Sequence, residues 1–245
     1  MTSTSEIAPG TYRICTYVHA ADMQFNQFLI VDNEPLLYHT GTHGLFPRVR
    51  DAVAEILDPS AVRWIAFSHF EADECGCLNE WLGAAPLAEP MCSACGALVS
   101  VNDIAVRKAR PLGDGEIVET GTHRLRFLAT PHLPHGWDAG HLLDETTGVL
   151  FSSDLLHQNG DVEPVTTEDV VGRMKRVLKG YAGSPFDRYI PWTPWAEAEI
   201  ERLAALAPRV VAPMHGSAYA GDGAAALRAM AAMLAEVYGL GAAGS

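Results

Sequence analysis

The chain has no run of eighteen apolar residues, and its first ten residues, Met1 to Gly10, lack a cationic start followed by an apolar stretch. The first absence argues against a membrane-spanning helix and the second against a secretory leader, so a soluble, cytoplasmic protein is expected. Positive charge is scarce too: 17 Lys and Arg stand against 30 Asp and Glu, a formal charge of −13. That balance repels phosphate backbones and anionic lipid, so neither nucleic acid nor membrane is expected as a partner. Cysteine is sparse and odd in number, with Cys15, Cys75, Cys77, Cys92 and Cys95. Without an export signal, free thiols are expected rather than a disulfide framework. Charged residues make up 19% of the chain and hydrophobic residues 48%, which suits a large core and leaves little reason for disorder. No linker, repeat or low-complexity segment interrupts residues 1–245, and one domain is the expectation.

What is present reads as strands and helices in alternation. Residues 26–40 resemble two strands joined by a turn at Asp32 to Pro35, ending at Gly41. Pro47 to Leu57 has a helical period, Arg63 to Ser68 is a short apolar strand, Leu78 to Gly83 suggests the end of a helical turn, and Ala94 to Val99 another short element. Strand patterns follow at 117–120, 124–129 and 149–152, with Gly and Pro between them. The remainder alternates helices (168–179, 197–206, 223–238) with a strand at 209–212. Two sheets packed face to face with helices outside would satisfy this order, an α+β, four-layer αββα sandwich.

The chemistry concentrates in Ser68-His69-Phe70-Glu71-Ala72-Asp73-Glu74-Cys75-Gly76, where four metal-competent side chains fall within six residues after a strand. Imidazole and carboxylate suit iron, zinc and manganese. A solvated acidic loop is the plain alternative. Further on come Thr130-Pro131-His132-Leu133-Pro134-His135-Gly136, Phe151-Ser152-Ser153-Asp154 and Ala212-Pro213-Met214-His215-Gly216. Each of these motifs also follows a strand pattern, so their side chains can meet at one end of the sheets.

With those residues in view, the sequence resembles the diiron domain of flavodiiron proteins, a branch of the metallo-β-lactamase superfamily. The His-x-Glu-x-Asp loop, a His in a Pro-rich turn, an Asp after a Leu-Phe-Ser strand and a late His before Gly carry the resemblance, with intervals of 66, 19 and 61 residues. It implies one metal held by His69, Glu71 and His135, a second by Asp73 and His215, and Asp154 bridging both. Glu74 stands where the family has a further loop histidine and can serve either as a ligand or as a neighbour. His132 is the alternative to His135. Hydrolases of the superfamily carry His-x-His-x-Asp-His in this loop, so Glu71 replaces an imidazole with a carboxylate. That change makes the site more anionic and favours harder ions and higher oxidation states.

The resemblance therefore implies two iron ions and a protein that binds, and in some relatives reduces, dioxygen or nitric oxide, acting as oxygen sensor or oxidoreductase. The other reading is a zinc- or manganese-dependent hydrolase of esters, thioesters or lactams. No FMN site and no flavodoxin domain are expected in this chain, so electrons would come from a separate donor, or the protein would report oxygen to a signalling partner. A homodimer is expected from the resemblance. Among the remaining residues, His39, His141 and His157 read as structural, with His157 close enough to Asp154 to stand over the site. His19 and His43 have no assigned role. Cys92-Ser93-Ala94-Cys95 lacks the second pair a zinc ribbon needs, Cys75 and Cys77 read as small apolar packing, and Trp137 is placed to line the pocket.

Overall fold

Apolar residues alternate along short strands, and the two faces of each strand are buried against different partners, which decides the layering. The computed structural model describes residues 2–239. The first sheet comprises β1 (Thr2–Ala8), β2 (Thr11–Val18), β3 (Met23–Ile30), β4 (Leu36–Tyr38), β5 (Trp64–Ala66), β6 (Glu89–Ser93) and β7 (Arg110–Leu112), in that order. It is antiparallel from β1 to β4 and parallel from β4 to β7. The second comprises β8 (Ile117–Glu119), β9 (Arg124–Ala129), β10 (Gly140–Asp144), β11 (Val149–Phe151), β12 (Val165–Thr166), β13 (Val210–Ala212) and β14 (Ala218–Tyr219), in the order β12-β14-β13-β11-β10-β9-β8.

In β3 to β5, Phe28, Ile30, Leu36, Tyr38, Trp64 and Ala66 face the second sheet, where they meet Phe127, Phe151 and Ala212. Phe28 and Tyr38 pack with ring centroids 5.1 and 5.2 Å from Phe151. The intervening Leu29, Leu37 and Ile65 face the opposite way, against the outer helices α1 (Phe46–Ala54) and α3 (Leu78–Ala84). Between those two helices in the chain lies the single turn α2 (Ala72–Cys75), and beyond them the short α4 (Ala94–Gly96) and α5 (Asn102–Ile104). On the other side, Leu150 and Val211 point outward against α6 (Val170–Tyr181), α7 (Ala196–Ala204) and α8 (Gly223–Tyr238). Three cores thus separate four layers, and each large side chain buried in them contributes about 1.5–3 kcal/mol. Asp169 and Asp222 start α6 and α8 by accepting from Gly172 N at 2.7 Å and Ala225 N at 2.9 Å.

The sandwich expected from the element order is the one observed. The hairpin expected over 26–40 is β3 and β4, with Phe28 opposite Tyr38. The strands β1, β2, β6, β7, β10, β12 and β14 are additions to the sequence reading. The short element expected at 94–99, of a type the sequence left open, is helical: α4 running into a wider turn at Ala97–Val101. None of the helices among the described residues is long and apolar enough to cross a membrane.

Candidate metal centre

Four chain segments leave strand ends on the same edge of the sandwich and bring their side chains together. His69, Glu71, Asp73 and Glu74 follow β5, His135 follows β9, Asp154 follows β11, and His215 follows β13. The first segment is pinned by its backbone: Phe70 N donates to Asp138 Oδ2 at 2.8 Å, Gly140 N to Ser68 O at 2.9 Å, and Thr40 N to Glu74 O at 2.7 Å. The histidines at 135 and 215 are each followed by a glycine in the left-handed region, Gly136 at φ +79° and Gly216 at φ +101°. A Cβ on Gly216 would lie 2.6 Å from Gln158 Cβ, so only glycine lets the chain turn away directly after His215.

His69 Nε2 and His135 Nε2 stand 3.0 and 2.9 Å from the same Glu71 Oε2. Asp154 Oδ2 lies 3.8 Å from His69 Nε2 and 3.6 Å from His135 Nε2. The other oxygen, Asp154 Oδ1, lies 3.4 Å from His215 Nε2, which is also 3.3 Å from Asp73 Oδ2. The two oxygens of Asp154 therefore face two separate donor sets. Ligand atoms of His69, Glu71, His135 and Asp154 lie within 4.8 Å of one another, as do those of Glu71, Asp73 and Glu74. Glu74 is fully buried, with Oε2 3.8 Å from His69 Nε2. All seven residues singled out from the sequence are brought together, with His135 in the cluster and His132 exposed outside it.

Charge in the cluster is mutually dependent. Hydrogen bonds from His135 and His69 hold the Glu71 carboxyl down at about 2. Burial raises the Asp154 carboxyl, but His215, His69 and His135 outweigh it and leave it well below the ordinary range. Burial alone would lower His215, yet Asp154 and Asp73 lift it to about 10. Glu74 goes the other way, pushed well up by burial and by the neighbouring Asp73 and Asp154.

The residues fit a pair of cations on two observations. Both oxygens of Glu74 are buried without a hydrogen-bond partner among the described residues, a costly state that a cation relieves. His215 Nδ1 donates to the Gln24 carbonyl at 2.9 Å, which fixes the tautomer and leaves Nε2 aimed at the carboxylates. Behind His69, Nδ1 lies 3.0 Å from Ser68 Oγ and 3.3 Å from Ser153 Oγ. His39 Nε2 joins the same Ser68 hydroxyl at 3.1 Å.

The open side of the cluster is a cleft of about 590 Å³, whose walls include Phe25, His157, Tyr181, Phe186 and Tyr189. His157 Nδ1 lies 2.7 Å from the Tyr189 hydroxyl, and its Nε2 2.8 Å from Asn159 Oδ1. An amide oxygen only accepts, so Nε2 carries the proton and Tyr189 donates to Nδ1. Burial, with His215 beside it, holds His157 neutral, at about 3. His157 thus stands over the site, as its distance from Asp154 in the chain allows. Trp137 does not line the cleft: it is 60% exposed, because Asp138 turns inward to bind the metal loop and the residue before it turns out. Cys75, Cys77 and Cys92 are buried in the outer core, and no cysteine joins a potential metal group among the described residues. Tyr189 and Gln24 went unnoticed in the sequence, since neither lies near a ligand in the chain.

The sequence model of a family described as ODP family beta lactamase matches residues 23–216. The rubredoxin-oxygen oxidoreductase of Megalodesulfovibrio gigas is 24% identical over 202 residues, covering 80% of this chain and 49% of that relative. This chain thus spans about half the length of that curated relative. Among solved structures, the rubredoxin oxygen:oxidoreductase of Desulfovibrio gigas superposes with a TM-score of 0.81 at 20% identity, over 94% of this chain and 61% of that one. A flavo di-iron protein mutant from Thermotoga maritima gives 0.77 at 22% identity over 94% and 62%. A fragment of a diflavin flavoprotein from Nostoc sp. PCC 7120 gives 0.77 at 17% identity, covering 96% of both chains.

Proposed function

Because the chain belongs to the ODP family of beta-lactamase-like domains, with the fold of flavodiiron cores, we propose that it is a diiron protein that binds dioxygen, as oxygen sensor or as oxidoreductase fed by an external electron donor. The observation that carries the proposal is the donor set: Glu71, Asp73, Glu74 and Asp154 contribute four carboxylates beside three imidazoles. Four negative charges match two ferrous ions, and so anionic a set favours redox-active iron over the electron-poor metals a hydrolase uses. His69, Glu71 and His135 would hold one ion, Asp73, Glu74 and His215 the other, with Asp154 shared between them.

Iron bound there would supply electrons and open positions for dioxygen. The chain's own residues do the rest. The Tyr189 hydroxyl, whose proton goes to the neutral His157, leaves its oxygen beside the open side of the cluster, where it can accept a hydrogen bond from a protonated ligand. Phe25 packs edge-on to His215 at 5.2 Å and limits water on that side. The name of the M. gigas relative pairs it with rubredoxin; by analogy a separate redox protein supplies the electrons here, to a protein that works as a homodimer.

The test is metal content after anaerobic purification from iron-supplemented cells, followed by the absorption spectrum as air is admitted. About two irons per chain and a new visible band on oxygenation are expected. Zinc or manganese alone, without a spectral response, would replace this reading with that of a hydrolase.

A further inference from the structure

The cleft over the metal centre is far larger than dioxygen requires. A molecule the size of one or two waters, each with a share of about 30 Å³, fills roughly a tenth of it, whereas its volume of about 590 Å³ is in the range that holds organic ligands. Its walls are aromatic. The ring of Tyr181 lies 5.3 Å from Phe186 at a tilt of 39° and 5.7 Å from Tyr189 at 72°. Phe186 remains 60% exposed at the mouth, an aromatic face with no protein partner to cover it fully.

Tyr181 is also a wall of a second cleft, of about 380 Å³, which contains Arg173 and Arg176. Arg173 is held in place by Glu163 at 2.7 Å and Gln158 at 3.2 Å. Arg176, one helical turn before Gly180, is exposed and forms no ion pair among the described residues. In a chain with a formal charge of −13, an unpaired guanidinium beside an aromatic cleft is a local reversal of sign, and guanidinium is well suited to planar oxyanions.

We propose that the two clefts, which share Tyr181 as a wall, form one binding site for a planar aromatic anion, with the rings against Phe186 and Phe25 and the anionic group at Arg176. Aromatic faces supply area and orientation, and the arginine supplies the charge preference. Glu71, Asp73, Glu74 and Asp154 repel anions until cations neutralise them, so the loaded site is the form that accepts this ligand. The inference stands on the shape and charge of the clefts, whichever metal is bound.

Calorimetric titration of the metal-loaded protein with naphthalene-2-sulfonate and with neutral 2-naphthol tests it. One molecule of each is expected per chain, with the sulfonate bound about fivefold to tenfold more tightly. Arg176→Gln should bring the two affinities together, and Phe186→Ala should weaken both about tenfold without changing metal content. Equal affinities in the unaltered protein, no binding of the sulfonate, or binding unaffected by both substitutions would overturn the proposal. Metal content and the response to air are measured on the same samples, so failure of the oxygen reading is seen separately from failure of the ligand site.

Discussion

Glu74 is fully buried, its oxygens have no hydrogen-bond donor among the described residues, and its neighbours are acids. A residue in that position opposes folding of the metal-free chain and supports the metal-loaded one. Glu74→Met should therefore act with opposite signs in the two forms. The metal-free variant should gain about 1–3 kcal/mol in urea unfolding, the cost of a buried polar group left without a hydrogen bond, while iron falls from about two per chain to about one. Retention of both ions would remove Glu74 from the ligand set. At this scale the sequence was informative wherever chemistry is crowded into a few residues, as in the loop from His69 to Glu74. It was silent on Ser68, Ser153 and Gln24, because their importance lies in which ring nitrogen they face.

Between elements, the join that matters is β3 against the turn after β13. Asn26 Nδ2 donates to Pro213 O and Gly216 O, both at 2.9 Å, and Asn26 N donates to Met214 O at 2.9 Å. The buried Arg13 on β2 adds a bond to Gly216 O at 2.9 Å and steadies Gln24 at 2.8 Å. His215 is thus aimed by the other sheet. Asn26→Ala strands the buried Pro213 carbonyl and leaves Gly216 O to Arg13 alone, at a cost of about 1–3 kcal/mol, which lowers Tm by roughly 2–4 °C per kcal/mol in a chain of this size. Calorimetric scanning should show that loss, together with weaker binding of the ion nearest His215; an unchanged Tm would contradict the clamp. None of this could be read from periodicity. β1 is a polar edge strand with Thr and Ser at most positions, and β2 buries Thr11, Arg13 and Thr16 beside Ile14 and Cys15, so neither shows a regular apolar alternation. β10, Gly140-His141-Leu142-Leu143-Asp144, is buried on both faces and lacks the alternation that marks a half-exposed strand.

Taken as a whole, the sandwich is fastened at both ends. Opposite the metal centre, Asp32 in the β3–β4 turn reaches across to the β8–β9 turn of the second sheet. It accepts from Thr120 Oγ1 at 2.9 Å and from the backbone of Thr122 and His123, each at 2.8 Å. Burial works against the charge, but the donors of His123, Asn33, Thr120 and Thr122 outweigh it and bring the carboxyl to about 2 from an ordinary 3.8. The folded chain thus takes up this proton later than the unfolded one as pH falls. The stabilisation is complete above about pH 4, fades between 4 and 2, and is gone below. Asp32→Asn should cost about 1–2 kcal/mol at neutral pH, allowing for partial solvent exposure, and flatten unfolding curves between pH 4 and 2. A wild-type-like acid limb in the variant would disprove the fastening.

The spread of the ligands also sets an order in time. During synthesis the segment from His69 to Glu74 leaves the ribosome well before His215, by roughly 7–28 s at about 5–20 residues per second. The loop's three carboxylates and imidazole are exposed first, His135 and Asp154 join them within that interval, and His215 comes last, so the nascent chain offers incomplete donor sets to any divalent ion in the surrounding pool.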